Sequence, residues 1–269
     1  MDMGHVVFML LCTLIGCGAS DKDSAGNGDG GGDDGGGDDG GGDGGGDEGG
    51  DEGGDETTSP ATFLLTNFFD GSVVVDATVE SVLDSTVTDA SGSATVSVPV
   101  DEIFEVTLTH PAYFPVRWFG KTEYAETAAL IAEEPLVAGF VADSLANAFG
   151  TTVDSALGHV IISSLTPIGG GPETSYLSGI ELTLDVEYEL AVAQDGSAPG
   201  GFASSSTSAD GVNIFMNVAP GPVTLSVVPP DGFTRCNLFA YDTGPHVTDF
   251  HLEVSAETVT RATVTCLTE

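Results

Sequence analysis

The sequence predicts an all-β chain, one or two antiparallel Greek-key β-sandwiches with one short connecting helix, and three observations carry that expectation. From Ala61 onward, apolar and polar residues alternate with a period of two. Short Val- and Thr-rich runs are bounded throughout by Gly, Pro and Asp. A small polar turn ending in Gly recurs in both halves of this region, each time leading into a strand-like run.

The alternation is clearest at Ile180, Leu182, Leu184 and Val186, set against Glu181, Thr183, Asp185 and Glu187. Phe250, Leu252, Val254 and Ala256 repeat it against His251, Glu253, Ser255 and Glu257. Such runs suit strands with one buried and one wet face. One segment departs from the pattern. Leu136, Phe140, Val141, Leu145, Ala148 and Phe149 follow helical spacing and Gly150 supplies a stop, which predicts an amphipathic helix over 136–149 between two β units. The recurring turns are Thr88-Asp89-Ala90-Ser91-Gly92, before Ala94, Val96 and Val98, and Thr207-Ser208-Ala209-Asp210-Gly211, before Ile214, Met216 and Val218.

The first 58 residues are built differently. Val6 to Ile15 is an apolar run too short to span a bilayer as a helix and of the length of a signal-peptide core. It closes on Leu14-Ile15-Gly16-Cys17, which resembles a bacterial lipobox, although Met1 to His5 lacks the usual Lys or Arg. The resemblance implies cleavage before Cys17 and acylation of that cysteine, and several acyl chains anchor stably where one does not. Gly18 to Thr58 repeats Gly and Asp/Glu without an aromatic or branched aliphatic residue, so it predicts a disordered tether. A Gly-rich coil of that length spans roughly 35 Å. The expected organisation is therefore a signal peptide over 1–17, a linker over 18–58, one sandwich over 59–135, and a helix plus a second sandwich over 136–269.

The formal net charge of -37 opposes only five Lys and Arg to 42 Asp and Glu. The folded region has four of those cations, Arg117, Lys121, Arg235 and Arg261. An acidic surface of this kind repels phosphate backbones and anionic headgroups, which argues against nucleic acid as a partner.

Chemistry-bearing patterns are scarce. No Gly-x-Ser-x-Gly elbow, His-Glu-x-x-His or phosphate loop occurs, and the abundance of carboxylates deprives any one pair of meaning. His246 and His251 are an odd number of residues apart, so on a strand they face opposite sides and do not converge on a metal. The reading is a non-enzymatic chain without cofactor or metal. The one aromatic cluster, Tyr113, Phe114, Trp118, Phe119 and Tyr124 around Arg117 and Lys121, offers Tyr113, Trp118 and Tyr124 as a platform for a glycan. The same residues also suit a core, because Phe114, Val116 and Trp118 share strand parity.

At its turns the chain resembles the carboxypeptidase regulatory-like, or transthyretin-like, β-sandwich family. Gly71-Ser72-Val73-Val74 with Thr88 to Gly92 fits one copy, and Ser178 to Leu182, Thr207 to Gly211 and Val218 to Leu225 fit a second. The first copy has Pro99-Val100-Asp101-Glu102 where the family has a Pro-Gly turn. The resemblance implies a binding or spacer role, with no catalytic residues to carry over. With Cys12 lost in the signal peptide and Cys17 acylated, Cys236 and Cys266 remain to form a disulfide in an oxidising compartment. The expected location is the cell envelope, lipid-anchored at the outer membrane or cell surface, since Gly18 is not the Asp that retains some lipoproteins at an inner membrane. The expected partners are the membrane, through Cys17, and an envelope protein or glycan.

Overall fold

The computed structural model describes residues 57–100, 102–121, 130–167, 174–198, 201–238 and 249–268. Cys17 and the rest of the signal and linker region up to residue 56 lie outside the described residues, as do Tyr124 and His246. The chain is all-β, with one helix among the described residues.

Three sheets form. The first places β1 (Thr58–Asn67) between β4 (Ser93–Pro99) and β7 (Leu130–Leu136). A large sheet runs β12 (Phe202–Ala203), β11 (Tyr188–Gln194), β13 (Val212–Val218), β8 (Gly158–Pro167), β17 (Val259–Thr268), β6 (Val116–Lys121), β5 (Ile103–Thr109), β2 (Thr78–Ser81) and β3 (Ser85–Val87). Two further strands join it off that path, β9 (Thr174–Tyr176) on β8 and β15 (Phe233–Leu238) on β17. The third sheet places β14 (Gly221–Val228) between β10 (Glu181–Leu184) and β16 (Asp249–Val254).

The large sheet is common to two sandwiches and is covered on opposite faces. Alternate residues of its central strands divide cleanly: Trp118, Ile161, Ile214 and Val259 join one core, while Phe119, Ile162, Phe215 and Ala262 join the other. The first core is closed by Ala61, Phe63 and Leu65 of β1 and by Ala94, Val96 and Val98 of β4. The second is closed by Val223, Leu225 and Val227 of β14 and by Phe250, Leu252 and Val254 of β16. Strands buried on both faces explain the loss of clean alternation in Val259–Thr268, whereas β10 and β16, each with one wet face, keep it.

Most strand pairs are antiparallel, as the sandwich expectation requires, with three parallel pairs among the described residues. These are β1 with β7, β17 with β6 and β17 with β8. The C-terminal strand lies between β8 on one edge and, on the other, β6 along Val259–Ala262 followed by antiparallel β15 along Val264–Thr268. A strand from the end of the chain thereby pairs with a strand of the 59–135 segment. The boundary expected after residue 135 falls within β7.

The helix α1 spans Gly139–Ala148, shorter at its start than the spacing predicts. Leu136 is held in β7, where its carbonyl accepts the Phe68 N–H at 3.0 Å, so helical geometry starts after Ala138. Val141, Ala142 and Ala146 face the first core, and Gly150 ends the helix at φ +78°.

The recurring turns share the geometry of their closing glycine. Gly92 and Gly211 have φ of +75° and +79°, and each carbonyl accepts a neighbouring strand's N–H, from Leu65 at 2.8 Å and from Ser164 at 2.6 Å. Thr88 is buried at the start of the first turn, whereas its counterpart Thr207 is exposed and the next residue, Ser208, is buried. A β-carbon at either Gly would lie within 3 Å of a backbone oxygen of that donating strand, 2.7 Å from Leu65 O and 2.9 Å from Ser164 O.

Candidate functional site

The large sheet is wider than its cover. The β4-β1-β7 sheet spans only part of the first-core face, and where it stops, beside β7, a cleft of about 310 Å³ opens over the sheet. Its floor is Ile161 of β8, Val212 and Ile214 of β13, Phe202 of β12 and Arg261 of β17. Asn67, Phe68, Glu133 and Gln194 contribute to the walls, with Tyr176 of β9 at the rim.

Arg261 is the centre of this arrangement. In the register of the sheet it lies between Trp118 and Ile161, so its side chain shares a face with the Trp118 indole. Glu134, which is 3 % exposed on β7, forms an ion pair with Arg261 Nε through Oε2. Its other oxygen, Oε1, accepts the Trp118 Nε1–H at 2.7 Å. Burial pushes the Glu134 carboxyl up from its ordinary range, while the Arg261 charge and the hydrogen bonds from Arg261 and Trp118 pull it back. The carboxylate thus holds the arginine against the floor, and the guanidinium keeps further N–H donors beyond the ion pair.

The polar wall is built in the same economical way. Asn67 Oδ1 accepts the Phe69 N–H at 2.8 Å, which leaves the amide nitrogen to donate elsewhere. Tyr176 is 53 % exposed, and its strand approaches β13 closely because Gly211 has no side chain: a β-carbon there would meet Tyr176 Cβ at 2.7 Å.

The aromatic cluster around Trp118 is arranged otherwise than a ligand platform requires. Trp118 is 0 % exposed, packed edge-on against Phe63 at 5.3 Å and beside Phe104 at 5.8 Å. Gly120 makes room for it, since a β-carbon there would come within 2.2 Å of the indole. Central position in the sheet is the cause: β6 pairs on both edges and is covered on both faces, so Trp118 and Phe119 enter different cores. Tyr113 is half-buried at the first core with its ring 5.2 Å from His110, and burial, followed by the Asp70 charge, raises its phenol pKa. Tyr124 lies outside the described residues. Arg117 is engaged by Glu105, with Nε–Oε1 at 2.6 Å and Nη2–Oε2 at 2.7 Å, and its Nη1 donates to Glu253 O and Ser255 Oγ. A glycan platform on Trp118 is therefore replaced by a core tryptophan and a structural arginine.

Cys236 and Cys266 are directly opposite in the β15–β17 ladder and are joined as a disulfide. Among the described residues no cluster of His, Cys, Asp and Glu is arranged to hold a metal. His159 is buried next to Phe114, its Nδ1 accepting the Asn217 N–H at 3.4 Å, and burial lowers its pKa.

Sequence reasoning missed Glu134 and Arg261. A usable signal existed: Arg261 is a charge inside the Val- and Thr-rich run Val259 to Val264, in a region with four cations. A charge in a strand covered on both faces must find a partner.

No family model matches the chain, and no curated protein matches it significantly. Among solved structures, it is similar to the Bacillus anthracis TIE protein, at 14% identity and TM-score 0.26, over 79% of this chain and 34% of that one. It is similar to GBS52, the minor pilin of Streptococcus agalactiae, at 9% identity and TM-score 0.29, over 78% of this chain and 96% of the pilin. The major pilin T-13 of Streptococcus pyogenes gives 11% identity and TM-score 0.24, over 79% and 97%. Likeness at these scores has no bearing on function.

Proposed function

We propose that the chain is an exported, lipid-anchored, non-catalytic β-sandwich module, held off a bacterial envelope membrane by an acidic tether and displayed there as a binding or spacer unit. The observation that carries this reading is the Cys236–Cys266 disulfide, because such bonds form and persist in oxidising compartments. The apolar run ending at Gly16-Cys17 supplies the route of export and the anchor, and the acidic Gly-rich segment supplies the spacing. Among the described residues no helix is long and apolar enough to cross a membrane. The resemblance of the turns to carboxypeptidase regulatory-like sandwiches fits a module that works by contact.

The experiment is fractionation of cells expressing the native chain or Cys17→Ala. The native chain partitions with membranes and incorporates labelled fatty acid; the variant loses the label and appears in the soluble exported fraction, because an acidic surface has no affinity for anionic headgroups. Membrane retention of Cys17→Ala after a high-salt wash would overturn the anchor.

A further inference from the structure

We propose that the cleft over Arg261 is a binding site for a neutral saccharide, a mono- or disaccharide unit whose ring lies against Tyr176 and Phe68 and whose hydroxyls bond Arg261, Gln194, Asn67 and Glu133. Size, charge, lining chemistry and the state of the neighbouring edge strand all bear on this choice. At about 310 Å³ the cleft is at the small end of ligand sites. Its lining combines aromatic and aliphatic faces with amide, carboxylate and guanidinium groups, the planar donors and acceptors that match vicinal hydroxyls. Charge argues against an anionic ligand. Arg261 is already matched by Glu134, Glu133 is exposed at the wall, and the chain carries a net charge of -37, so an anion meets repulsion on approach.

An extended peptide is excluded by the edge beside the cleft. The Leu136 carbonyl accepts from Phe68, so in this parallel ladder the even-numbered residues of β7 turn their backbone groups to β1 and Glu133 and Pro135 turn theirs to the open edge. Pro135 has no N–H to offer a further strand, and the exposed Glu133 adds charge beside it. Strand addition fails there, and recognition falls to side chains, which favours a compact polyhydroxylated ring over a polypeptide.

This site is distinct from the Trp118 cluster, and it does not depend on the anchor. The test is saturation-transfer NMR and titration calorimetry of the full chain with N-acetylglucosamine, chitobiose, maltose and cellobiose as neutral probes. A digalacturonate serves as anionic probe and an uncharged Ser/Thr-rich peptide as extended probe. At least one neutral probe binds, with a Kd in the range of about 1 mM or tighter, and saturation transfers to its ring C–H protons. Tyr176→Ala and Gln194→Ala each weaken it about tenfold, with an unchanged circular dichroism spectrum and melting midpoint, while Val228→Ala, at an exposed site on the other small sheet, leaves it alone. Binding confined to the digalacturonate or the peptide overturns the assignment, as does absence of neutral binding, or neutral binding that survives both cleft substitutions. A chain that fractionates with membranes through Cys17 yet binds no neutral probe overturns this inference alone and leaves the anchoring untouched.

Discussion

Arg261 and Glu134 come from strands that meet only in the folded chain, and each would be a costly buried charge without the other. Glu134→Gln keeps an acceptor for the Trp118 Nε1–H but leaves Arg261 uncompensated, so it should lower stability by about 3 kcal/mol. Glu134→Gln combined with Arg261→Met should recover most of that loss, because the pair then carries no buried charge and the Trp118 Nε1–H keeps its acceptor. Urea unfolding of the single and double variants measures this; losses that simply add would show that the two side chains do not act as a pair. A second residue sets an acid limit. The Asp89 carboxylate accepts the Ser91 hydroxyl at 2.6 Å and the backbone N–H groups of Ser91 and Ser93, which hold its pKa below the ordinary 3.8. Its contribution to stability is present above the unfolded value and is lost as pH falls through the lower folded value. Asp89→Asn should therefore flatten the acid limb of a stability–pH curve in the window below about pH 4, and an unchanged limb would reassign it to other carboxylates. The parity of Phe114, Val116 and Trp118 made the buried tryptophan legible as one of two readings. The ion pair was not legible, since alternation assigns faces but says nothing about which distant strands become neighbours.

At the scale of elements, the sequence carried turns and faces well and strand direction poorly. The repeated turn was visible as composition, and its cause is now the left-handed glycine whose carbonyl bonds the adjacent strand. Gly92→Ala should cost at least about 2 kcal/mol, from the strained φ together with displacement of the Leu65 carbonyl. Gly139→Ala is the control. It lies in α1 with open space around the missing side chain, so it should leave stability unchanged or raise it by up to about 1 kcal/mol. Equal effects of the two substitutions in thermal melts would remove the structural reason for the turn glycine. The helix was legible by spacing but began late, because the backbone of Leu136 is committed to the β1–β7 ladder before any helix can use it. Parallel pairing was invisible for a related reason: a period of two fixes which side chains point inward and is the same for both strand directions.

At the scale of the molecule, the decisive strand is the last one. β17 is bonded to β8, to β6 and to β15, and so belongs to both sandwiches at once. Arg117 adds a tie from β6 to the Glu253 carbonyl at 3.1 Å on the other small sheet. The Cys236–Cys266 bond closes a loop of 30 residues, for which chain entropy gives about 3.5 kcal/mol. Its effect should reach beyond the second core, since releasing β15 from β17 loosens the strand on which β6 and the first core depend. Trp118 is the single tryptophan and is buried in the first core, so its fluorescence reports that core alone, while far-ultraviolet circular dichroism reports every strand. In the oxidised protein both probes should give one coincident melting transition. Reduction should lower both midpoints together by about 10 °C, the shift expected from that loss for a folded region of this size. If the Trp118 midpoint stays in place while the dichroism splits into two steps, the sandwiches unfold independently and the continuity of the large sheet through β17 contributes little to cooperativity.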